Sequence, residues 1–144
     1  MSKRLRTLVH DNGGSAVIEF GLVAPVFLMM LLGVFQVGLW LQAYNAMRNA
    51  VAQTARSVAV EYQTDNKLTN AQIHDTGIAV ATTAPYLLNR DSVDITVSSP
   101  TVQDFAGARE VQLTLTYQMP SVLGFAGIPG PSVGYSRSLF VIQS

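Results

Sequence analysis

The most prominent pattern in the chain is a long apolar stretch that contains no charged residue. It lies between Glu19 and Arg48, and residues 20–47 read FGLVAPVFLMMLLGVFQVGLWLQAYNAM. Its strongly polar side chains are Gln36, Gln42 and Asn45. A helix that crosses a bilayer needs about 20 predominantly apolar residues. The pattern therefore predicts one transmembrane helix over about residues 20–47.

The helical pattern continues beyond the apolar stretch. Small and apolar side chains recur at intervals of three and four residues: Ala43, Ala46, Met47, Ala50, Val51, Thr54, Ala55, Val58, Ala59 and Tyr62. A narrow stripe of this kind is typical of a helix that lets another helix approach closely. No strong stop occurs between Ser15 and Tyr62, although Pro25 removes one backbone donor and is expected to bend the helix. A helix over residues 15–62 would be about 70 Å long, so half of it is expected to project from the membrane.

A second helical pattern follows the polar break at residues 63–69. Its apolar side contains Ile73, Gly77, Val80, Ala81, Ala84, Leu87 and Leu88. Asn70 or Thr69 is expected to cap its start, because these side chains accept hydrogen bonds from free backbone N–H groups. Pro85 is expected to kink or shorten its end.

The last third of the chain changes to a period of two. Alternating apolar and polar residues predict strands over 93–97 and 111–119, and a final strand over about 133–142. Between the last two lies a Gly/Pro-rich loop, 120–131, which contains Val122, Leu123, Phe125 and Ile128. This apolar loop is either a partner surface or a cover for the sheet. The fold class predicted is α+β: a long N-terminal transmembrane helix continuing into a small extracytoplasmic domain with a helix and about three antiparallel strands.

The composition argues against several kinds of binding and catalytic site. Charged residues make up 12% of the chain, and nine basic and nine acidic side chains leave no net charge, so no basic face for nucleic acid is expected. The chain has no cysteine, which removes disulfides, thiolate metal sites and cysteine nucleophiles. His10 and His74 are isolated, and no catalytic or phosphate-binding motif is present. We therefore expect no enzyme, no catalytic residue, no metal and no cofactor.

The N-terminal flank predicts the orientation. Lys3, Arg4 and Arg6 precede the apolar stretch, and basic residues beside a membrane segment stay in the cytoplasm. Residues 1–14 end in two glycines and are predicted to be a cytoplasmic leader that a protease can reach. A secretory signal peptide fits less well, because its apolar core usually has about 7–15 residues. The predicted division is a leader at 1–14, a helix at 15–62 and an extracytoplasmic domain at 63–144.

Glu19 is the candidate functional carboxylate. If a protease cuts after Gly14, Ser15 becomes the N-terminal residue and Glu19 the fifth residue of the mature chain. An unpaired carboxylate at the bilayer centre costs on the order of 2–3 kcal/mol, so it needs a partner. The new amino group on Ser15 of a neighbouring subunit would attract it by roughly 4 kcal/mol at about 4 Å and an effective dielectric constant of about 20. In the alternative interpretation, Glu19 merely gains about 0.3–1 kcal/mol from the helix dipole.

The residues from Gly14 to Arg56 resemble the TadE-like motif of tight-adherence (Flp, type IVb-like) pilus systems. The matching residues, in order, are Gly14-Ser15-Ala16, Glu19-Phe20, Leu22-Val23-Ala24-Pro25, Gly33, Gly38, Asn45-Ala46, Asn49-Ala50 and Ala55-Arg56. The chain departs from the motif at Gln36, where an acid is common, and at Leu39-Trp40, where a basic residue is common. These departures bear on an intramembrane ion pair and leave the cleavage motif unchanged.

The resemblance implies an inner-membrane minor pseudopilin with a processing site at Gly14, Ser15, Glu19 and Phe20. The implied partners are a prepilin peptidase, other minor pseudopilins, the major Flp pilin, the membrane proteins of the pilus platform and membrane lipid. An alternative function is an unprocessed single-pass membrane protein whose outer domain binds a ligand or partner.

Small and helix-bending residues in the long helix are candidates for contact between helices. They are Pro25, Gly33, Gly38, Ala46 and Ala50. Small residues let helix backbones approach closely in a membrane. The alternative is that they reflect only the ordinary composition of membrane helices.

Overall fold

The computed structural model describes residues 13–64, 66–100, 108–122, 124 and 127–142. All but the last two residues of the predicted leader lie outside this part of the chain, as do Leu123 and Phe125 of the apolar loop. The elements are, in order, α1 (Gly13–Gln63), α2 (Asn70–Thr82), a 3₁₀ turn (Arg90–Ser92), β1 (Val93–Ser98), β2 (Ala108–Gln118) and β3 (Ser132–Ile142). This order confirms the predicted α+β fold class.

The chain divides into two compact units between Val37 and Gly38. The described part of the first unit is the N-terminal portion of α1, whose large apolar side chains are exposed; Phe20, for example, is 74% exposed. By length and composition, α1 is a helix able to cross a membrane, and its most apolar 18-residue stretch has no buried residue. This confirms the predicted apolar N-terminal helix.

The second unit is a three-stranded antiparallel sheet packed on helices. The strand order is β1-β2-β3, and the register places Ile95 and Tyr135 on either side of Leu115. Val111, Leu113 and Leu115 alternate along β2 and are fully buried. The period-two pattern in the sequence therefore marks the face of the sheet that forms the core.

The C-terminal portion of α1 contributes its stripe of small residues to this core. Ala50, Val51 and Val58 are almost completely buried in one cluster with the sheet residues, and Thr54 on the same helix is also buried. Met47 is also fully buried, so residues 38–47, the last ten of the predicted span, belong to the helix of the globular unit. The stripe that indicated a close helix contact is covered by the chain itself.

Local signals fix the start and end of α2. Thr69 is the N-cap: its hydroxyl accepts a hydrogen bond from the backbone of Gln72, and the Gln72 side chain accepts one from the Thr69 backbone. The helix ends at Thr82, so Leu87 and Leu88 lie beyond it. Pro85 shortens the helix as the sequence predicts, and the N–H of Leu88 donates instead to the carbonyl of Ala81 at 2.9 Å.

Candidate processing and helix-packing site

The predicted cleavage site lies at the start of α1. The helix begins at Gly13, so Gly14 and Ser15 lie in its first turn. The first four N–H groups of a helix have no acceptor within the helix. The N–H groups of Gly14 and Ser15 therefore have no acceptor within the helix, and cleavage between these residues stays a prediction.

The structure brings Ser15 and Glu19 together one helical turn apart. The Ser15 hydroxyl donates to Oε1 of Glu19 at 3.2 Å, and both side chains are exposed. Phe20 follows on the exposed surface of the helix. The carboxylate is thus presented at the surface, immediately before an uncharged apolar stretch.

The exposed apolar surface after Glu19 is continuous in sequence. Leu22, Val23, Phe27, Met30 and Val34 are each more than half exposed. A helix that is apolar all round is stable only inside a membrane or a protein core. By its length and composition, this part of the helix is able to cross a membrane.

The five predicted packing residues fall into three groups. At Gly33 and Gly38, a Cβ atom would meet no described atom within 4 Å, so both glycines leave open space beside the helix. Pro25 lies inside the helix, as expected. Ala50 is buried in the core of the chain itself, and Ala46 packs partly against that core. Contact between subunits at these positions stays a prediction.

The globular unit carries an aromatic and arginine cluster that the sequence did not indicate. The guanidinium of Arg48 lies over the rings of Tyr44 and Tyr135, at 5.9 and 5.7 Å from their centres. The two rings meet edge to face at 6.5 Å. Tyr44 and Arg48 are one turn apart on α1, which is a readable signal, but no local pattern brings Tyr135 to them.

The other candidate ligands show no assembled site. Among the described residues, no group of three or more His, Cys, Asp or Glu side chains is placed to hold a metal ion. His74 lies beside Asp75, with Nδ1 3.0 Å from Oδ1 of the carboxylate. His10 lies outside the described residues.

Comparison with known proteins supports the resemblance seen in the sequence. Residues 14–56 match the family model described as "TadE-like protein". None of the curated proteins and none of the solved structures compared with the chain matches it. The matched segment is less than half of the chain, and it contains both the candidate processing site and the helix-packing residues. Residues 14–56 are therefore similar to TadE-like proteins.

Proposed function

We propose that the protein is a minor pseudopilin of a Flp-type (Tad) pilus, a structural and assembly subunit rather than an enzyme. A prepilin peptidase removes its leader after Gly14. The chain is a single-pass protein of the bacterial inner membrane, with its N-terminus in the cytoplasm and its C-terminal unit in the periplasm. It packs through its N-terminal helix against other minor pseudopilins and the major Flp pilin, and it contacts the membrane proteins of the pilus platform.

One observation supports this proposal above all. Within the TadE-like segment, a single carboxylate at Glu19 is followed by an exposed helix that carries no charge as far as Val37. Two surroundings suit such a surface: a bilayer and a bundle of similar helices. A pilus subunit meets both surroundings, because it lies in the membrane before assembly and packs against similar helices in the fibre.

Glu19 gives the fibre its register. Inside a bundle of helices the carboxylate loses water, and an unpaired charge there is costly. Cleavage after Gly14 creates an amino group at Ser15, which is the nearest cation that a neighbouring subunit can offer. The pair forms only when the two helices are offset correctly, so the attraction selects one axial position.

Cleavage is tested by the intact mass of the protein extracted from membranes. We expect a mature chain that begins at Ser15 in cells with an active prepilin peptidase, and the full-length chain in cells without it. Gly14→Leu should block trimming, because it places a bulky side chain at the scissile bond. Gly21→Leu is the matched control, since Gly21 also has open space beside α1 and lies away from the bond.

A full-length mass in cells that have the peptidase and build pili would contradict the proposal. It would favour the alternative of an unprocessed single-pass protein with a ligand- or partner-binding outer domain. If the Gly14→Leu variant is still trimmed to a chain that begins at Ser15, the protease does not need a small residue before the bond, and Gly14 is not part of the processing site.

A further inference from the structure

A groove runs between α1 and the edge strand β3 of the globular unit. One cavity of about 250 Å³ is lined by Asn45, Arg48, Asn49, Ala52, Tyr135 and Arg137. A cavity of about 380 Å³ shares Ala52 and Arg137 with it and reaches Arg56 and Ala59. We call this surface the arginine groove, after Arg48, Arg56 and Arg137. All of its residues belong to the globular unit and to the described part of the chain.

The register of the sheet explains why an arginine of β3 lies beside α1. Arg137 is directly opposite Leu113 of β2, whose side chain is fully buried in the core. Residues opposite one another in an antiparallel pair lie on the same face of the sheet. Arg137 is therefore on the face that packs against the helices, but at the edge of the sheet, where its side chain is exposed. Across the groove, Ala52 and Ala59 are small residues of α1 and leave the space open.

The three arginines have no acidic partner within the chain as the structure describes it. No described carboxylate forms an ion pair with Arg48, Arg56 or Arg137, and their guanidinium groups donate no hydrogen bond to a described residue. Water satisfies an isolated exposed arginine. Here Arg137 shares one cavity with Arg48 and the other with Arg56, and like charges that share a site repel one another. A bound anion removes this repulsion.

One of the three guanidinium groups is already held in place. Arg48 lies over the rings of Tyr44 and Tyr135, at 5.9 and 5.7 Å from their centres. Stacking uses the flat face of a guanidinium and leaves the N–H donors at its edge available for a carboxylate. A side chain that is held before binding loses less conformational entropy when the ligand binds. Asn45 and Asn49 add amide donors to the same cavity.

We propose that the arginine groove binds an acidic segment of a partner protein through at least two carboxylate side chains. Arg48 and Arg56 are eight residues apart on α1, which is about 12 Å along the helix axis. A single small anion cannot reach both, whereas four residues of an extended chain cover about 13 Å. Ala52, between the two arginines, leaves room for the backbone of such a segment. This binding site goes beyond the proposed function, because none of its residues belongs to the processing site.

The test measures the binding of a fluorescein-labelled octaglutamate peptide to the full chain in a non-ionic detergent, by fluorescence anisotropy. Lys3, Arg4 and Arg6 are replaced by alanine in every protein, including the parent, because the basic N-terminus would itself attract the peptide. Unlabelled octaglutamate, octaglutamine and inorganic phosphate are added as competitors at constant ionic strength.

Three arginine variants and a matched control locate the binding. Arg56→Gln and Arg137→Gln each remove one charge of the groove and leave the stacked rings in place. Arg48→Lys keeps the charge but loses the planar fork. Arg90→Gln is the control, since Arg90 is an exposed arginine of the 3₁₀ turn and lines neither cavity. Circular dichroism of each variant must match that of the parent.

We expect octaglutamate to bind the parent, and Arg56→Gln and Arg137→Gln each to weaken binding roughly fivefold, as for an exposed ion pair of about 1 kcal/mol. Arg48→Lys should also weaken it, and Arg90→Gln should not change it. The inference fails if octaglutamate does not bind, or if Arg90→Gln weakens binding as much as the groove variants do, because the peptide then follows overall charge. It also fails if phosphate competes as strongly as unlabelled octaglutamate, since the groove then takes a small anion. Cleavage after Gly14 is measured separately by intact mass and does not depend on these results.

Discussion

At the scale of single residues, Arg109 joins segments that are far apart in sequence. Its guanidinium donates to the Tyr62 hydroxyl at 2.8 Å and to Oδ1 of Asn70 at 2.6 Å. It also donates to the carbonyl of Leu68 at 3.5 Å and to the Ser99 hydroxyl at 3.3 Å. These bonds tie the end of α1, the start of α2 and the end of β1 to β2. One side chain therefore joins three other segments of the globular unit to β2.

Arg109→Ala should lower the free energy of unfolding by about 2 kcal/mol, because hydrogen bonds from a charged donor are lost and their acceptors are left partly buried. Chemical denaturation of the detergent-solubilised chain, followed by circular dichroism, measures the change. Arg137→Ala is the matched control: Arg137 is exposed, and its expected effect is within about 0.5 kcal/mol. Equal effects in the two variants would show that Arg109 contributes through charge alone.

The same residues show what sequence can and cannot reveal at this scale. The cap at Thr69 was predictable because both partners of the capping box lie within four residues. The contacts of Arg109 join it to residues 39 and 47 positions away, and no local pattern contains that information. Ser15 and Glu19, one turn apart, are again a local pair, and the sequence identified both of them.

At the scale of elements, the β2–β3 hairpin depends on a close approach between the backbones of Met119 and Gly130, at the two ends of its loop. The N–H of Met119 donates to the carbonyl of Pro131 at 2.9 Å, and the Gln118 side chain donates to the carbonyl of Gly130. Gly130 is buried, and a Cβ atom on it would collide with the carbonyl oxygen of Met119. Backbone atoms cannot move aside as the end of a flexible side chain can.

Gly130→Ala should therefore destabilise the hairpin by about 1–3 kcal/mol, the range found when extra volume is forced into a packed site. Thermal unfolding of the full chain in detergent would show a lower midpoint. Gly124→Ala, in the same loop, should leave the midpoint unchanged, because a Cβ atom there meets no described atom within 4 Å. A midpoint for Gly130→Ala equal to that of the parent chain would contradict the close approach.

The elements themselves were largely readable from periodicity. Alternation along residues 111–119 marked β2, since Val111, Leu113, Leu115 and Tyr117 all face the core. The end of α2 was harder to place, because the apolar spacing continues to Leu88 whereas the helix ends at Thr82. Leu88 is buried although it lies outside the helix, so its apolar character reflects the core and not the helix period.

At the scale of the whole molecule, one helix serves two kinds of packing. Before Gly38 its apolar side chains are exposed, and after it the small residues lie in one buried cluster with residues of α2 and the sheet. The sequence shows a stripe of small residues but not what covers it, because a stripe suits the chain's own sheet as well as another helix. At Gly33 and Gly38 a Cβ atom would meet no described atom within 4 Å, and contact between subunits at these two glycines stays a prediction.

Glu19→Ala tests whether the charge of Glu19 sets the axial position of the exposed helix relative to the helix of a neighbouring subunit. We expect trimming at Ser15 to remain, because the glycine before the scissile bond is unchanged, and the number of assembled pili to fall sharply. The variant loses an attraction of roughly 4 kcal/mol per neighbouring pair, at an effective dielectric constant of about 20. Intact mass measures trimming, and electron microscopy of sheared fibres measures assembly.

Ser15→Ala separates the charge from the hydrogen bond within the chain. It removes the 3.2 Å bond between the Ser15 hydroxyl and Glu19 but keeps both the carboxylate and the amino group that trimming creates. If Glu19 acts on a neighbouring subunit, Ser15→Ala should assemble normally while Glu19→Ala does not. If the number of assembled pili falls equally in both variants, Glu19 acts through its hydrogen bond with Ser15 in the first turns of its own helix. If both assemble normally, the register has another source, and the open space at Gly33 and Gly38 becomes the feature that positions neighbouring helices.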